Sequence, residues 1–237
     1  MKNKSLVIAK TNFRNIKPVY ILSAIAMGCV LIQDIVLLIL SLSGAYPDSS
    51  ENMTVSLGNY LFLIIILGAI FIPVRNFRKM MNLGGKRADF FRGCALNYVI
   101  MAGAISLANV VLYYTYDKFM VSAIYGGGTL DILYWFGWAE NGAIIAFFQQ
   151  FAFLLLLATV IHTLTASQDK WYGWLADILI IAIISIFTPI ASLRPALIWF
   201  FNLIIFHSNA FVQIAACLIL ALGIYSLNRL IFARKVI

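Results

Sequence analysis

The residues best suited to chemistry lie in one stretch, Arg75–Gly93, which reads RNFRKMMNLGGKRADFFRG. Six of its nineteen residues are Lys or Arg, a Gly-Gly pair interrupts them, and Phe90-Phe91 follows closely. Those types suit docking rather than catalysis, with Phe90 and Phe91 as aromatic anchors inside a polar rim of Lys86, Arg87 and Arg92. Pro73 closes the apolar run before the stretch, Arg75–Met81 continues as a basic helix, and Gly84-Gly85 reverses the chain at low steric cost. Lys86–Gly93 then forms a short helix whose two phenylalanines project as an exposed hydrophobic knob. A plainer role fits the same residues: a loop whose cations set topology and touch anionic head groups while its aromatics rest in the interface.

Bond-making chemistry has little support elsewhere. No GxxxxGK[ST] loop occurs, so the chain cannot cradle and hydrolyse ATP alone. Neither HExxH nor an activated serine–histidine arrangement is present, and His162 and His207 fall at opposite membrane faces. Cys29, Cys94 and Cys217 have no metal or redox spacing and read as small apolar fillers. No catalytic residue, cofactor or metal site is expected in this chain. The remaining polar candidates interrupt apolar runs: Gln33, Asp34, Asn109, Gln149, Gln150 and Gln213. A carboxylate there costs about 2.5–3.5 kcal/mol, so Asp34 needs a partner, water or a proton. Asp34, Asn109, Gln149, Gln150 and Gln213 either line a solvated translocation path or bridge helices by hydrogen bonds of about 0.6 kcal/mol each. Asp177 and His162 sit near the inner mouth, where a solvated, ordinary role is expected.

The elements that must carry these residues follow from composition. Of 237 residues, 63% are hydrophobic and 11% charged, against roughly 45–50% and 25% in soluble domains. The chain reads as one all-α integral membrane domain, 1–237, with six transmembrane helices at 19–43, 57–74, 94–116, 143–165, 174–191 and 210–231. At about 1.5 Å per residue each run reaches across a hydrocarbon core of about 30 Å. Residues 1–18 form an amphipathic interfacial helix, with Leu6, Ala9, Phe13 and Ile16 on lipid and Lys10, Asn12, Arg14 and Lys17 opposite. The apolar run after it is too long for the core of a secretory signal and is expected to remain as a span. Of the 17 Lys and Arg, only Lys118 and Arg194 fall outside when the N-terminus is inside, so both termini and the Phe-Phe loop are expected in the cytoplasm. The net charge of +8 thus gathers at span ends and does not point to nucleic acid. Outside, Tyr46–Ser56 is short and acidic. Asp117–Gly142 carries Gly126-Gly127-Gly128 and an aromatic stretch suited to a lid or belt. Leu197–Phe206 is too short to cross and too apolar for an open loop, so a re-entrant or interfacial segment is expected between spans five and six.

The run Asn82-Leu83-Gly84-Gly85-Lys86-Arg87-Ala88-Asp89-Phe90-Phe91-Arg92-Gly93 resembles the segment after the second span in bacterial ATP-binding-cassette exporter permeases of the type-2 family. That resemblance implies that Gly84, Gly85, Lys86, Arg87, Asp89, Phe90, Phe91 and Arg92 form a cytoplasmic coupling helix between spans two and three. It implies as partners cytoplasmic ATPase subunits, which hold ATP and Mg, and a second permease copy, identical or related, in a bacterial cell membrane. The amphipathic first helix and the dipping segment before the last span are similar to that family too. The cargo expected is amphipathic or hydrophobic, a peptide or drug ahead of a polysaccharide. From another class, a stand-alone six-span immunity, sensor or ion-conducting protein fits the same topology.

Overall fold

Apolar runs of this length leave the backbone no partner but itself, and the chain responds with helices. The computed structural model describes residues 4–44, 54–124 and 129–234. Gly126-Gly127-Gly128, most of the acidic segment from Tyr46, and Lys235 lie outside the described residues. Helix α1 (Lys4–Asn15) is followed by α2 (Lys17–Leu42), whose first turn holds Pro18, where a missing N–H costs nothing. Next come α3 (Leu57–Asn82) and α4 (Arg87–Ala123), then α5 (Ala143–Ser167), α6 (Trp171–Phe187), α7 (Arg194–Phe206) and α8 (Ala210–Arg234). Two-residue strands, β1 (Thr54–Val55) and β2 (Thr129–Leu130), pair in parallel at the end remote from the reversal between α3 and α4.

Among the described residues, α2, α3, α4, α5 and α8 are long and apolar enough to cross a membrane. The fifth expected span, 174–191, appears as α6, seventeen residues that start earlier and stop at Phe187. Two other expectations change more. The runs expected at 57–74 and 94–116 extend to Leu57–Asn82 and Arg87–Ala123. Lys86–Gly93 is therefore not a helix of its own: from Arg87 onward it is the first two turns of α4, because nothing up to Leu112 interrupts the helical ladder. Pro73 does not end α3 either. Its missing N–H loosens the helix into a π-turn over Ile72–Asn76, after which an α-helix resumes. Two more π-turns lie at Tyr113–Asp117 in α4 and Asn202–Phe206 in α7.

α5 is the central helix and touches α3, α4, α6 and α8. One apolar cluster gathers Ile65 and Ala69 of α3, Tyr98 and Ala102 of α4, and Leu154 and Ala158 of α5. A second joins Trp138, Ala146, Leu156, Ile204, Ile205 and Cys217. By contrast α2 and α6 expose apolar side chains along most of their length.

α1 lays one face against the bundle. It packs on α4 with Ile8, Ala9, Asn12 and Ile16 buried, while Leu6 is 58% exposed. Asn12, expected on the polar face, turns inward because a run of amide bonds receives it. The Asn15 amide donates to Asn76 Oδ1 (3.2 Å), Asn76 to Asn12 Oδ1 (3.0 Å), Asn12 to Asn97 Oδ1 (2.9 Å), and Asn97 to the Ala9 carbonyl (3.0 Å). These four asparagines lock α1 to the π-turn of α3 and to α4. Gly93 makes the approach possible, since a Cβ there would lie 2.7 Å from Ile8 Cγ2.

Asn97→Leu should therefore take from the Asn12 amide its oxygen acceptor, leaving only the weak contact to Cys94 Sγ at 3.8 Å, and cost about 1–3 kcal/mol. The thermal midpoint in detergent should fall by about 2–4 °C per kcal/mol, whereas Val99→Ala, on the exposed side of the same helix, should change it little.

Candidate functional site

The reversal between α3 and α4 is a built turn. The Gly84 amide donates to the Met81 carbonyl and the Gly85 amide to the Met80 carbonyl, both at 2.9 Å, closing α3 with a Schellman motif. Gly84 has φ +76°, which a side chain resists. Lys86 is extended, and Arg87 begins α4 at once. Lys86 and Arg92 are exposed, as are Arg78 and Lys79, whereas Arg87 and Asp89 are half-buried.

The expected aromatic knob is absent. Phe90 is fully buried, meeting Phe77 edge-on at 5.3 Å between centroids. Phe91 is half-buried and stacks on Tyr225 of α8 at 4.5 Å, while the Tyr225 hydroxyl donates to the Phe91 carbonyl at 2.6 Å. Because α4 is continuous, residues one turn inside it face the bundle, so both rings brace the turn from within. The apolar residue presented at the tip is Leu83, 75% exposed and flanked in sequence by the exposed Lys79 and Lys86. Its position at the centre of the basic stretch was the signal; the adjacent Phe-Phe pair outweighed it.

Only two of the five residues expected on a path, Gln149 and Gln213, touch one another through their side chains. Asp34 of α2 accepts from the Tyr116 hydroxyl of α4 at 2.7 Å. Gln149 of α5 accepts from Asn141 (3.1 Å) and donates to Gln213 of α8 (2.6 Å), and Gln213 donates onward to the Ile204 carbonyl (3.0 Å). Those contacts bridge helices. Asn109 of α4 and Gln150 of α5 are fully buried, and neither carboxamide has a protein hydrogen-bond partner. Ser106, one turn before Asn109, has the same character. Unmet buried polar groups cost about 1–3 kcal/mol each, and Asn109 and Gln150 leave both polar atoms of the carboxamide unmet.

Other polar residues turn out to be structural. His162 is fully buried rather than solvated: its Nδ1 is bonded to the Tyr98 hydroxyl across α4 and α5. Asp177 is half-buried and accepts from Gln168 at the α5–α6 turn. At the end remote from the reversal, Ser56 donates to Asp117 at 2.5 Å, and Asn59 donates to the Leu130 carbonyl at 2.6 Å. Asp131 caps the single helical turn Ile132–Trp135 through the Leu133 amide. Burial pushes the Asp131 carboxyl above its ordinary 3.8, against hydrogen bonding from the Leu133 and Tyr134 amides. Among the described residues no group of three His, Cys, Asp or Glu side chains can hold a metal ion.

Two outcomes follow for measurement. Phe90→Ala should destabilise by about 3–5 kcal/mol, whereas Leu83→Ala should stay within about 0.5 kcal/mol, compared by thermal unfolding in one detergent. The raised Asp131 pKa means that the fold favours the protonated acid, so its contribution is present at low pH and is lost as pH rises through the folded value. Hydrogen exchange corrected for intrinsic rate should show Thr129–Leu133 better protected near pH 4 than at pH 8, with a weaker dependence in Asp131→Asn.

No family model, curated protein or solved structure matches this chain.

Proposed function

We propose that the chain is the permease subunit of an ATP-driven exporter, taking its energy from a separate cytoplasmic ATPase that docks on the α3–α4 reversal. The observation that carries the reading is that reversal: a glycine turn with Lys86 and Leu83 exposed at its tip and Phe90 and Phe91 braced into the bundle behind it. A handle of that kind transmits force, because displacing the tip must displace α3 and α4 together. The likeness of Asn82–Gly93 to the coupling segment of type-2 exporter permeases points the same way, as does the gathering of Lys and Arg at the side expected to be cytoplasmic.

In this reading Leu83 replaces the phenylalanines as the apolar anchor in the ATPase groove, and Lys86, Arg87, Asp89 and Arg92 supply the polar contacts around it. ATP binding closes the ATPase pair, pushes the reversal and moves α3 and α4, opening a route beside a second permease copy. The long apolar faces of α2 and α6, exposed in the single chain, supply surface for that copy and for lipid. A mostly apolar interior favours an amphipathic or hydrophobic cargo, peptide or drug, moved outward across the bacterial cell membrane.

The reading expects an ATPase reading frame beside this one, and coexpression of the two tests it. The two proteins should copurify in mild detergent, and a photo-crosslinker carried at position 83 should reach the ATPase. Leu83→Asp together with Lys86→Glu should reduce the ATPase recovered by at least about tenfold, the factor that about 1.4 kcal/mol of binding represents, while the thermal midpoint of the permease is unchanged. A permease that always purifies alone, with crosslinks only to phospholipid, would exclude the coupling role and leave the stand-alone membrane protein.

A further inference from the structure

α1 meets the bundle at a defined height. A Cβ on Gly93 would lie 2.7 Å from Ile8 Cγ2 and 3.1 Å from the Ser5 carbonyl oxygen, Asn97 bonds to Asn12 and to the Ala9 carbonyl, and Asn15 reaches Asn76 of α3. From Ser5 to Asn12 the chain advances about 10 Å along α1, while its partners on α4 advance only from Gly93 to Asn97, about 6 Å. By Asn15 the partner is on the neighbouring helix, so α1 crosses α4 and α3 obliquely rather than running beside either. The crossing falls where both helices change character. Lys86, Arg87 and Arg92 precede Gly93 and the apolar part of α4 follows it, whereas the apolar part of α3 comes before Arg75, Arg78 and Lys79. In a membrane-spanning chain that change marks the surface of the bilayer, and α1 lies in it.

The bundle takes Ile8, Ala9 and Asn12, which leaves the opposite side of α1 uncovered. Leu6, Val7, Lys10 and Arg14 lie there within about 100° of arc, all of them exposed, Leu6 at 58% and Val7 at 47%. Lys17, the next cation, is exposed as well, and so is Arg75, whose neighbour Asn76 holds Asn15. No acidic residue occurs in Lys4–Asn15 or in residues 72–82, and Asp89 lies one turn before Gly93, at the Ser5 end of α1. Bare aliphatic side chains beside uncompensated cations suit a charged lipid surface better than water: the aliphatic pair enters the acyl boundary and the cationic heads stay with the phosphates. We propose that Leu6, Val7, Lys10, Arg14 and Lys17, joined by Arg75, form a binding surface for anionic phospholipid in the leaflet beside the α3–α4 reversal. Of the lipid face expected from spacing, only Leu6 belongs to it, because Ala9 and Ile16 are buried. The asparagine run ties α1 to α3 and α4, so lipid held here steadies both helices. The assignment does not rest on the ATPase-partner reading, and its test uses this chain alone, so the two fail separately.

The test places the full chain in nanodiscs of equimolar phosphatidylglycerol and phosphatidylcholine with the same acyl chains, extracts it in mild detergent and counts the retained lipids by mass spectrometry. Wild type should retain phosphatidylglycerol in preference to phosphatidylcholine. Each cation near an anionic surface is worth about fivefold, so the triple variant Lys10→Gln, Arg14→Gln, Lys17→Gln should cut that preference by at least about tenfold. A control that loses the same charge elsewhere, Lys79→Gln, Lys86→Gln, Arg92→Gln, should keep most of it. Equal retention of the two lipids by wild type overturns the proposal. Equal loss in the two triple variants also overturns it, since net charge alone would then set the preference. A photo-crosslinker at position 7 leaves every cation in place and decides the matter even if a variant fails to fold. Adducts with phosphatidylglycerol in excess over phosphatidylcholine support the surface, whereas equal adducts, adducts with protein alone or no adduct overturn it.

Discussion

A polar side chain carried into an apolar bundle must find a partner there, and this molecule turns that requirement into its cross-links. The four-asparagine run from Asn15 through Asn76 and Asn12 to Asn97 is the clearest case. It converts an amphipathic helix, α1, into a structural strut against α3 and α4. The same rule operates at the Tyr98–His162 bond, at Asp34 with Tyr116, and at Gln149 with Gln213. Each bond joins helices far apart in sequence, so the helices are held at fixed rotations rather than merely in contact. The rule is unmet at Ser106, Asn109 and Gln150, whose buried side-chain polar atoms have no protein partner.

The π-turns have a related part. A π-turn widens the helix by one residue and releases carbonyls or re-aims side chains that a regular helix would hide. At Ile72–Asn76 it aims Asn76 into the asparagine run. At Tyr113–Asp117 it brings Tyr116 to Asp34 and Asp117 to Ser56, and at Asn202–Phe206 it offers the Ile204 and Ile205 carbonyls to Gln213 and Trp138. Irregularity and cross-linking therefore coincide at all three places. Only the first is signalled locally, by Pro73.

The reversal between α3 and α4 joins these themes. Its outer surface is a basic tip centred on Leu83, and its inner surface is Phe90 and Phe91 packed on Phe77 and Tyr225. The asparagine run ties the same region to α1. Anything that grips the tip acts on α1, α3, α4 and α8 together, which is the mechanical content of the coupling role proposed for it. The Gly84-Gly85 turn was legible because a left-handed residue demands glycine wherever it occurs. The burial of Phe90 was not, because it depends on whether a helix starts before or after that ring.

Composition and run length determined the helical, membrane-suited character of the chain, since an apolar segment of about 20 residues has one way to satisfy its backbone. They also determined where the helices approximately lie and that the chain turns at Gly84-Gly85. Tertiary structure decided the rotations. Hydrophobic spacing in α1 is compatible with two faces, and only the distant amides of Asn76 and Asn97 select the one that buries Asn12. In the same way, the six intramembrane polar residues are equivalent in sequence. Asp34, Gln149 and Gln213 become bridges, Gln33 stays exposed, and Asn109 and Gln150 stay unpaired, according to what another helix presents at the same height. A hydrogen bond reaches about 3 Å, so its existence depends on angles and registers between helices that no local pattern encodes.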